Sequence, residues 1–573
     1  MNYKILFSMA VILFAFLLTV GTVAAAPVEI KNLEDLMAIN DLANLSLDYI
    51  LMNDIDVGSE ETGNLIFTPI GTDTSPFTGK FNGNNFAISN ITFSDVAMDN
   101  VGLFGYTEDA SISYLSLKNV DFKGNDSVGG LIGWADNTSI DYCSVINANS
   151  HRISGNSSVG GFVGFMVWGS TISNSFATGD AERSGDDGGL VGGFVGGMDS
   201  STISNSSATG DAKGIYYVGG FVGYMASSTI SESYATGSAD AENGLVGGFA
   251  GAIFDSSVSD NFAFGSVTGV EGAGGFVGGV FDTDISTSFA MGSVTGVDGV
   301  GGFAGVAALS DISNSYATGN VIGVDFVGGF VGCMGVSDIS NSYAAGNAKG
   351  SHYVGGFVGG SADDFFDDFF DDFVGDSVVD LGIGSITDSF YIGSPNLNDN
   401  TLGIHVLPSK LMQINTFKTN GGYVSADWDI SDSPDSTVIW YISEGQDYPK
   451  FYYYSFIPQS LIPSPSDSKG SGSSTGSATI IGNTVTQNNT LQNNTPQNNT
   501  PQNNTPQNNT PQNNTPQNNT PQNNTPQNNT PNNPSNDSTE QKNSNSFIWW
   551  GLGAVLLIAI VGGIVYVFYF KKK

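Results

Sequence analysis

The sequence predicts an all-β fold, a parallel β-solenoid of about ten 27-residue coils. A glycine-rich motif, "VGGFVG" in its commonest form, ends at Gly105, Gly133, Gly164, Gly196, Gly223, Gly251, Gly278, Gly305, Gly332 and Gly359, and the last four intervals are all 27 residues. A second motif, "ISNSYATGN" from Ile312, keeps step with it in copies from Ile172 to Ile339. The stretch 306–332 holds five glycines, each costing a helix about 1 kcal/mol relative to alanine. Helical repeats are thereby excluded. Short β-branched and aromatic runs between Gly, Asn, Asp and Ser read as strands and turns.

Each element follows in chain order. Residues 1–25 place Lys4 before an apolar core and end in small residues, the layout of a secretory signal peptide cleaved after Ala25. Residues 26–100 read as an N-terminal cap and first coils. There "NLEDLMAINDL" sets Leu33, Leu36 and Met37 on one face of a short helix. The array proper spans 101–394. Stacking of successive coils predicts one buried aromatic column of Phe194, Phe221, Phe249, Phe276, Phe303, Phe330 and Phe357. Asn174, Asn205, Asn314 and Asn341 predict an interrupted asparagine ladder at a turn. Ile312, Asn314 and Tyr316 alternate as on a strand, while Val327 and Phe330 straddle a glycine pair where the chain must bend.

One interval is longer, and the surplus is 362–381, carrying "DDFFDDFFDDF". It reads as a solvated loop ejected from one coil, because its eight aspartates repel one another. A calcium-assisted membrane or partner contact is the sharper alternative. Residues 395–456 lose the repeat and read as a C-terminal cap. The segment 457–546 is a Ser/Pro-rich and "QNNT"-repeat stalk, and its repeats from Gln487 space proline at five-residue intervals with almost no apolar content. It contains nine Asn-x-Thr acceptors: Asn488, Asn493, Asn498, Asn503, Asn508, Asn513, Asn518, Asn523 and Asn528. Residues 547–570 carry no charge and exceed the roughly 20 residues a bilayer core requires. Lys571, Lys572 and Lys573 follow as a cytoplasmic stop. Everything between leader and span is then extracellular.

Acidic residues outnumber basic ones 55 to 17, a formal net charge of −38. Such a surface repels nucleic acid and attracts cations loosely; it reads as an acidic, salt-tolerant surface with no cofactor, and specific calcium sites are the alternative. Cys143 and Cys333 fall several coils apart, beyond the roughly 7 Å that a disulfide spans. Both should be thiols.

The repeats resemble the GLUG family, through "GLFG" at 102–105, "GLIG" at 130–133 and the later "GFVG" copies. The segment before them, with "YILMNDIDV", "FTPIG" and "PFTGKFNGNNFAISNITF", is similar to the one that precedes GLUG repeats. "WDI" at 428–430 and "DYPKF" at 447–451 are similar to its closing part. The resemblance covers roughly 28–456. It implies a β-helix-like fold and a bacterial or archaeal cell surface, but no single activity, since GLUG repeats also sit beside the catalytic domain of certain immunoglobulin A peptidases.

The residues show little chemistry of their own. His151, His352 and His405 share no metal-ligand spacing, and no His-Glu-x-x-His occurs. "GSVTG" at 265–269 is not a nucleophile elbow and stands where a turn is expected. Asp180, Asp186, Asp187 and Asp211 are the carboxylates a polysaccharide-degrading β-helix would use, but in so acidic a chain such proximity is expected anyway. The sequence-level expectation is a non-enzymatic, membrane-anchored surface protein that meets an extracellular glycan or surface protein, with a surface polysaccharide hydrolase or lyase as alternative.

Overall fold

The computed structural model describes residues 26–58, 67–148, 151–185, 189–361, 384–393, 402–434 and 437–451. The leader, the acidic insert, the stalk with its nine asparagines and the apolar span lie outside the described residues. So do Asp186 and Asp187.

Within them the chain winds as a parallel β-helix of about 11 turns, one more than the repeat count predicts. One coil shows the plan. Strands Asp311–Ser313, Tyr316–Ala317, Val321–Ile322, Asp325–Gly328 and Val331–Gly335 belong to five different sheets, called here I to V. Sheets I and II have 13 strands each, sheets III and V have 10, and sheet IV has nine. Coils pair in register, with Ile285 opposite Ile312 and Ile312 opposite Ile339. Coiling begins in the stretch 26–100 read as cap and first coils. There Tyr49 already pairs with Phe81, and Phe81 with Ile112, ahead of the first glycine motif.

The short helix expected near the start forms as Leu33–Met37. Asn32 caps it, its side chain accepting from the Asp35 amide at 2.9 Å. Leu33 and Leu36 are buried.

The predicted phenylalanine column is present and begins one coil earlier, at Phe162. From Phe162 to Phe357 successive ring centroids lie 4.6–4.9 Å apart, and all the rings are fully buried. The glycine pair before each ring is required by close approach. A Cβ on Gly328 would lie 1.7 Å from the Val331 carbonyl oxygen, and one on Gly329 would lie 2.1 Å from that of Gly356 in the next coil. No larger residue fits either place.

Sheets I and II meet at a corner that breaks the alternation read from Ile312, Asn314 and Tyr316. Asn314 adopts a left-handed conformation, φ 47°, as do Asn174, Asn205 and Asn341. Such residues tolerate that region better than most. The corner sends Ile312 inward and turns Tyr316 to the outer face. In the expected asparagine ladder, Asn205 donates to the Asn174 side chain at 2.6 Å.

Behind this corner runs a buried hydroxyl ladder that sequence reasoning missed. The amides of Ser288 and Ser315 donate to the hydroxyls of Ser315 and Ser342, one coil on, at 3.4 and 3.1 Å. Each of these hydroxyls in turn donates to a carbonyl two residues earlier. A second ladder through Ser228, Ser256, Thr283, Ser310 and Ser337 serves the corner between sheets V and I. These bonds satisfy amides that the turns remove from the sheets. The signal was the serine two residues after each isoleucine-serine pair.

Cys143 stands in the first ladder, its amide donating to Ser175 Oγ at 3.1 Å. Burial pushes its thiol up to about 12. Cys333 is also buried, on sheet V. They are not joined, as the coil register requires.

Two outcomes follow. Phe276→Ala should cost about 3–5 kcal/mol in chemical denaturation, by removing a ring stacked on both sides. Thiol titration should find no reactive group in the native chain and two after denaturation.

Candidate functional site

The outer face of sheet II carries a second aromatic column. Strand pairs such as Phe289–Ala290 and Tyr316–Ala317 place the alanine inward and the ring outward. Tyr234, Phe262, Phe289, Tyr316 and Tyr343 stack at 4.7–5.1 Å with planes within 9° of parallel. Phe390 continues the column in register with Tyr343. Nothing in the 27-residue period says that these rings are buried, yet Phe289 to Phe390 are at most 2 % exposed.

Their cover is residues 402–451. Phe417 and Trp428 pack on Phe390, Trp440 on Tyr316 and Tyr343, and Phe451 on Tyr316 and Phe289, with centroids 5.3–6.0 Å apart. The Tyr343 hydroxyl donates to the Pro449 carbonyl at 2.7 Å. Asp388 accepts from the Ser425 amide, the Ser425 hydroxyl and the Ala426 amide at 2.7–3.2 Å. "WDI" and "DYPKF" thus supply rings to a flank of the β-helix.

Elsewhere the outer faces are mixed: sheet V carries shorter, half-buried ring stacks, Tyr106–Trp134–Phe165 and Tyr224–Phe254–Phe281, and other faces carry acidic columns. Asp284, Asp311 and Asp338 stand in register on sheet I. Desolvation raises the Asp311 pKa, and the charges of its two neighbours add to it. A second acidic column runs through Glu271, Asp298 and Asp325. There Asp325 lies 2.6 Å from His352 Nδ1, at an exposed position.

The candidate chemistry does not assemble among the described residues. His352 contacts Asp325 and His405 packs on Tyr391, while His151 lies far from both along the coils. No group of three or more His, Cys, Asp or Glu with metal-binding geometry occurs among the described residues. Asp180 and Asp211 occupy successive coils, and each accepts backbone donors from the next. Asp180 takes the Asp211 amide at 3.0 Å, and Asp211 takes the Ser238 amide at 2.8 Å. Partial burial raises the Asp180 pKa. Both carboxylates serve turns. A cavity of about 310 Å³ near the N-terminus is lined by Asn40, Leu45, Thr68, Pro69, Thr72 and Met98 among others, without a carboxylate or imidazole.

The coils also match a known family in sequence. The profile of the GLUG motif matches residues 187–212 and 296–322. The chain carries GLUG repeats. The second matched stretch runs from the end of sheet III in one coil to the same place in the next, so one GLUG unit is one turn of the helix. A stretch of 135 residues is 31 % identical to halomucin of Haloquadratum walsbyi, covering 22 % of this chain and 2 % of that protein. The chain therefore spans only a small fraction of the length of this curated relative. Two solved structures show a partial likeness to this chain. A proposed immunoglobulin A1 protease from Bacteroides ovatus is 17 % identical, with 45 % of this chain and 75 % of that one covered and a TM-score of 0.32. An IgA1 protease is 18 % identical, with 50 % and 21 % covered and a TM-score of 0.31.

The acidic column on sheet I has a measurable consequence. A folded-state pKa raised above its unfolded value means that protonation favours folding. The contribution is fully present below the ordinary aspartate range and is lost as pH rises through the raised value. Asp311→Asn should therefore stabilise the chain by about 0.2–1 kcal/mol at pH 7, the scale of facing like charges. Melting temperatures at pH 7 and pH 3, with and without added salt, should show the gain shrinking in acid and in salt.

Proposed function

We propose that this chain is a cell-surface protein that displays its GLUG β-helix outward on a glycosylated stalk, for adhesion or envelope structure, without catalytic activity. The observation that carries the reading is the order of parts along one chain. A secretory leader precedes the GLUG coils, and a proline-spaced run of glycosylation acceptors and an uncharged 24-residue stretch ending in three lysines follow them. The stretch of similarity to halomucin supports the surface placement.

The β-helix suits display for a physical reason. Parallel, in-register coils copy each outward residue at the interstrand spacing of about 4.8 Å, so the surface offers columns of like groups rather than one converging site. The 45 residues 486–530 would hold such a surface on the order of 140 Å from the membrane if extended near 3.1 Å per residue. The partner class is an extracellular glycan or another surface protein. The strong negative charge disfavours polyanions. Calcium would act as a loosely held counter-ion.

The reading is tested on the full chain in detergent, with a glycan array and a reducing-sugar assay run in parallel. Binding without turnover supports it. Release of reducing ends would instead favour the polysaccharide-enzyme alternative. From the native host, the protein should migrate well above its 59.7 kDa sequence mass and lose that excess on deglycosylation. An unmodified mass would overturn the glycosylated stalk.

A further inference from the structure

The route of the C-terminal segment along the outer aromatic column bears on how force enters the molecule. The segment leaves the last coils near His405, beside Tyr391. Phe417 and Trp428 then meet Phe390, Trp440 meets Tyr343 and Tyr316, and Phe451 meets Tyr316 and Phe289. Read along the column, the chain travels backwards, from the last coil toward the middle of the β-helix. Between Phe390 and Phe289 it retreats three rungs, about 14 Å at the interstrand spacing. Phe451 and Trp440 are fully buried at the far end of this path.

We propose that residues 402–451 form an intramolecular clasp that attaches the outgoing chain to the flank of the β-helix. Tension on anything beyond Phe451 is then resisted by the rings of Trp440 and Phe451 on the outer aromatic column. The last coil, whose sheets would otherwise be the first to unzip, is bypassed. Sequence and contacts agree on why this flank is the one used. In the coils toward the N-terminus the outward position holds Ser116, Ser144, Phe176 and Ser207, so the lone ring at Phe176 is flanked by serines and the unbroken run of rings begins only at Tyr234 and leads to where the segment lies. The polar contacts add direction. Asp388 holds the root of the clasp at Ser425 and Ala426, and the Tyr343 hydroxyl holds its tip at Pro449.

The role of the clasp in service rests on the stalk reading above, but its existence can be tested without a membrane. The detergent-solubilised full chain is pulled in single molecules between handles at Lys31 and Ser460. The first event should release the segment between Tyr391 and Phe451, about 60 residues, or on the order of 200 Å of contour length. Trp440→Ala should lower the force of that event and leave the later ones unchanged. Tyr343→Phe, which keeps the ring and removes only the bond to Pro449, should lower it less. A first event in steps of one coil, or a first event insensitive to both substitutions, would overturn the clasp. Surface attachment measured separately on cells distinguishes failure of the clasp from failure of the stalk.

Discussion

Backbone pairing between identical positions of successive coils is the constraint on which the rest of this structure depends. A parallel ladder fixes the coils about 4.8 Å apart, and every other feature must fit that distance. Flat rings stack at it, which is why phenylalanine recurs inside from Phe162 to Phe357. The glycine pair recurs because a Cβ there would strike a carbonyl of its own coil or the next. Serine recurs at two corners because its hydroxyl can reach both the amide of the preceding coil and a carbonyl of its own. The 27-residue period is the number of residues needed to pass through five short strands and their corners and return to the same place.

The same copying has a cost outside the core. A residue repeated in sequence is repeated in space, so Asp284, Asp311 and Asp338 face one another along sheet I. Outward aromatic residues likewise become a continuous apolar strip on sheet II. The aspartates remain in water, where screening keeps repulsion modest. The aromatic strip is covered by the chain itself, through Phe417, Trp428, Trp440 and Phe451. That cover links coils far apart in sequence; the Tyr343–Pro449 hydrogen bond joins residues 106 positions apart.

A surface of this kind repeats like groups in columns and does not bring different groups together at one point. Buried carboxylate pairs and ligand clusters need side chains from different directions to converge, whereas register directs equivalent side chains in parallel. Asp180 and Asp211 illustrate the difference. They are close, and both are engaged in holding turns to the next coil.

The repeat made much of the fold legible from sequence alone. Period, glycine spacing and the Phe194–Phe357 series determine a stacked β-helix, because each reflects a contact between neighbouring coils at a fixed chain separation. The short helix at Leu33–Met37 and the separation of Cys143 from Cys333 follow from local pattern and from register. Direction at the corners was not legible. Ile312, Asn314 and Tyr316 alternate like one strand, and only the left-handed turn at Asn314 decides that isoleucine faces in and tyrosine out. Nor could the sequence show where 402–451 lies. "WDI" and "DYPKF" mark a segment outside the repeat, but their packing depends on an aromatic column whose contacted rings, Phe289, Tyr316, Tyr343 and Phe390, come from four successive coils. Period and pairing between neighbours are written in the sequence, whereas the clasp is a contact between distant parts that exists only once the coils have stacked.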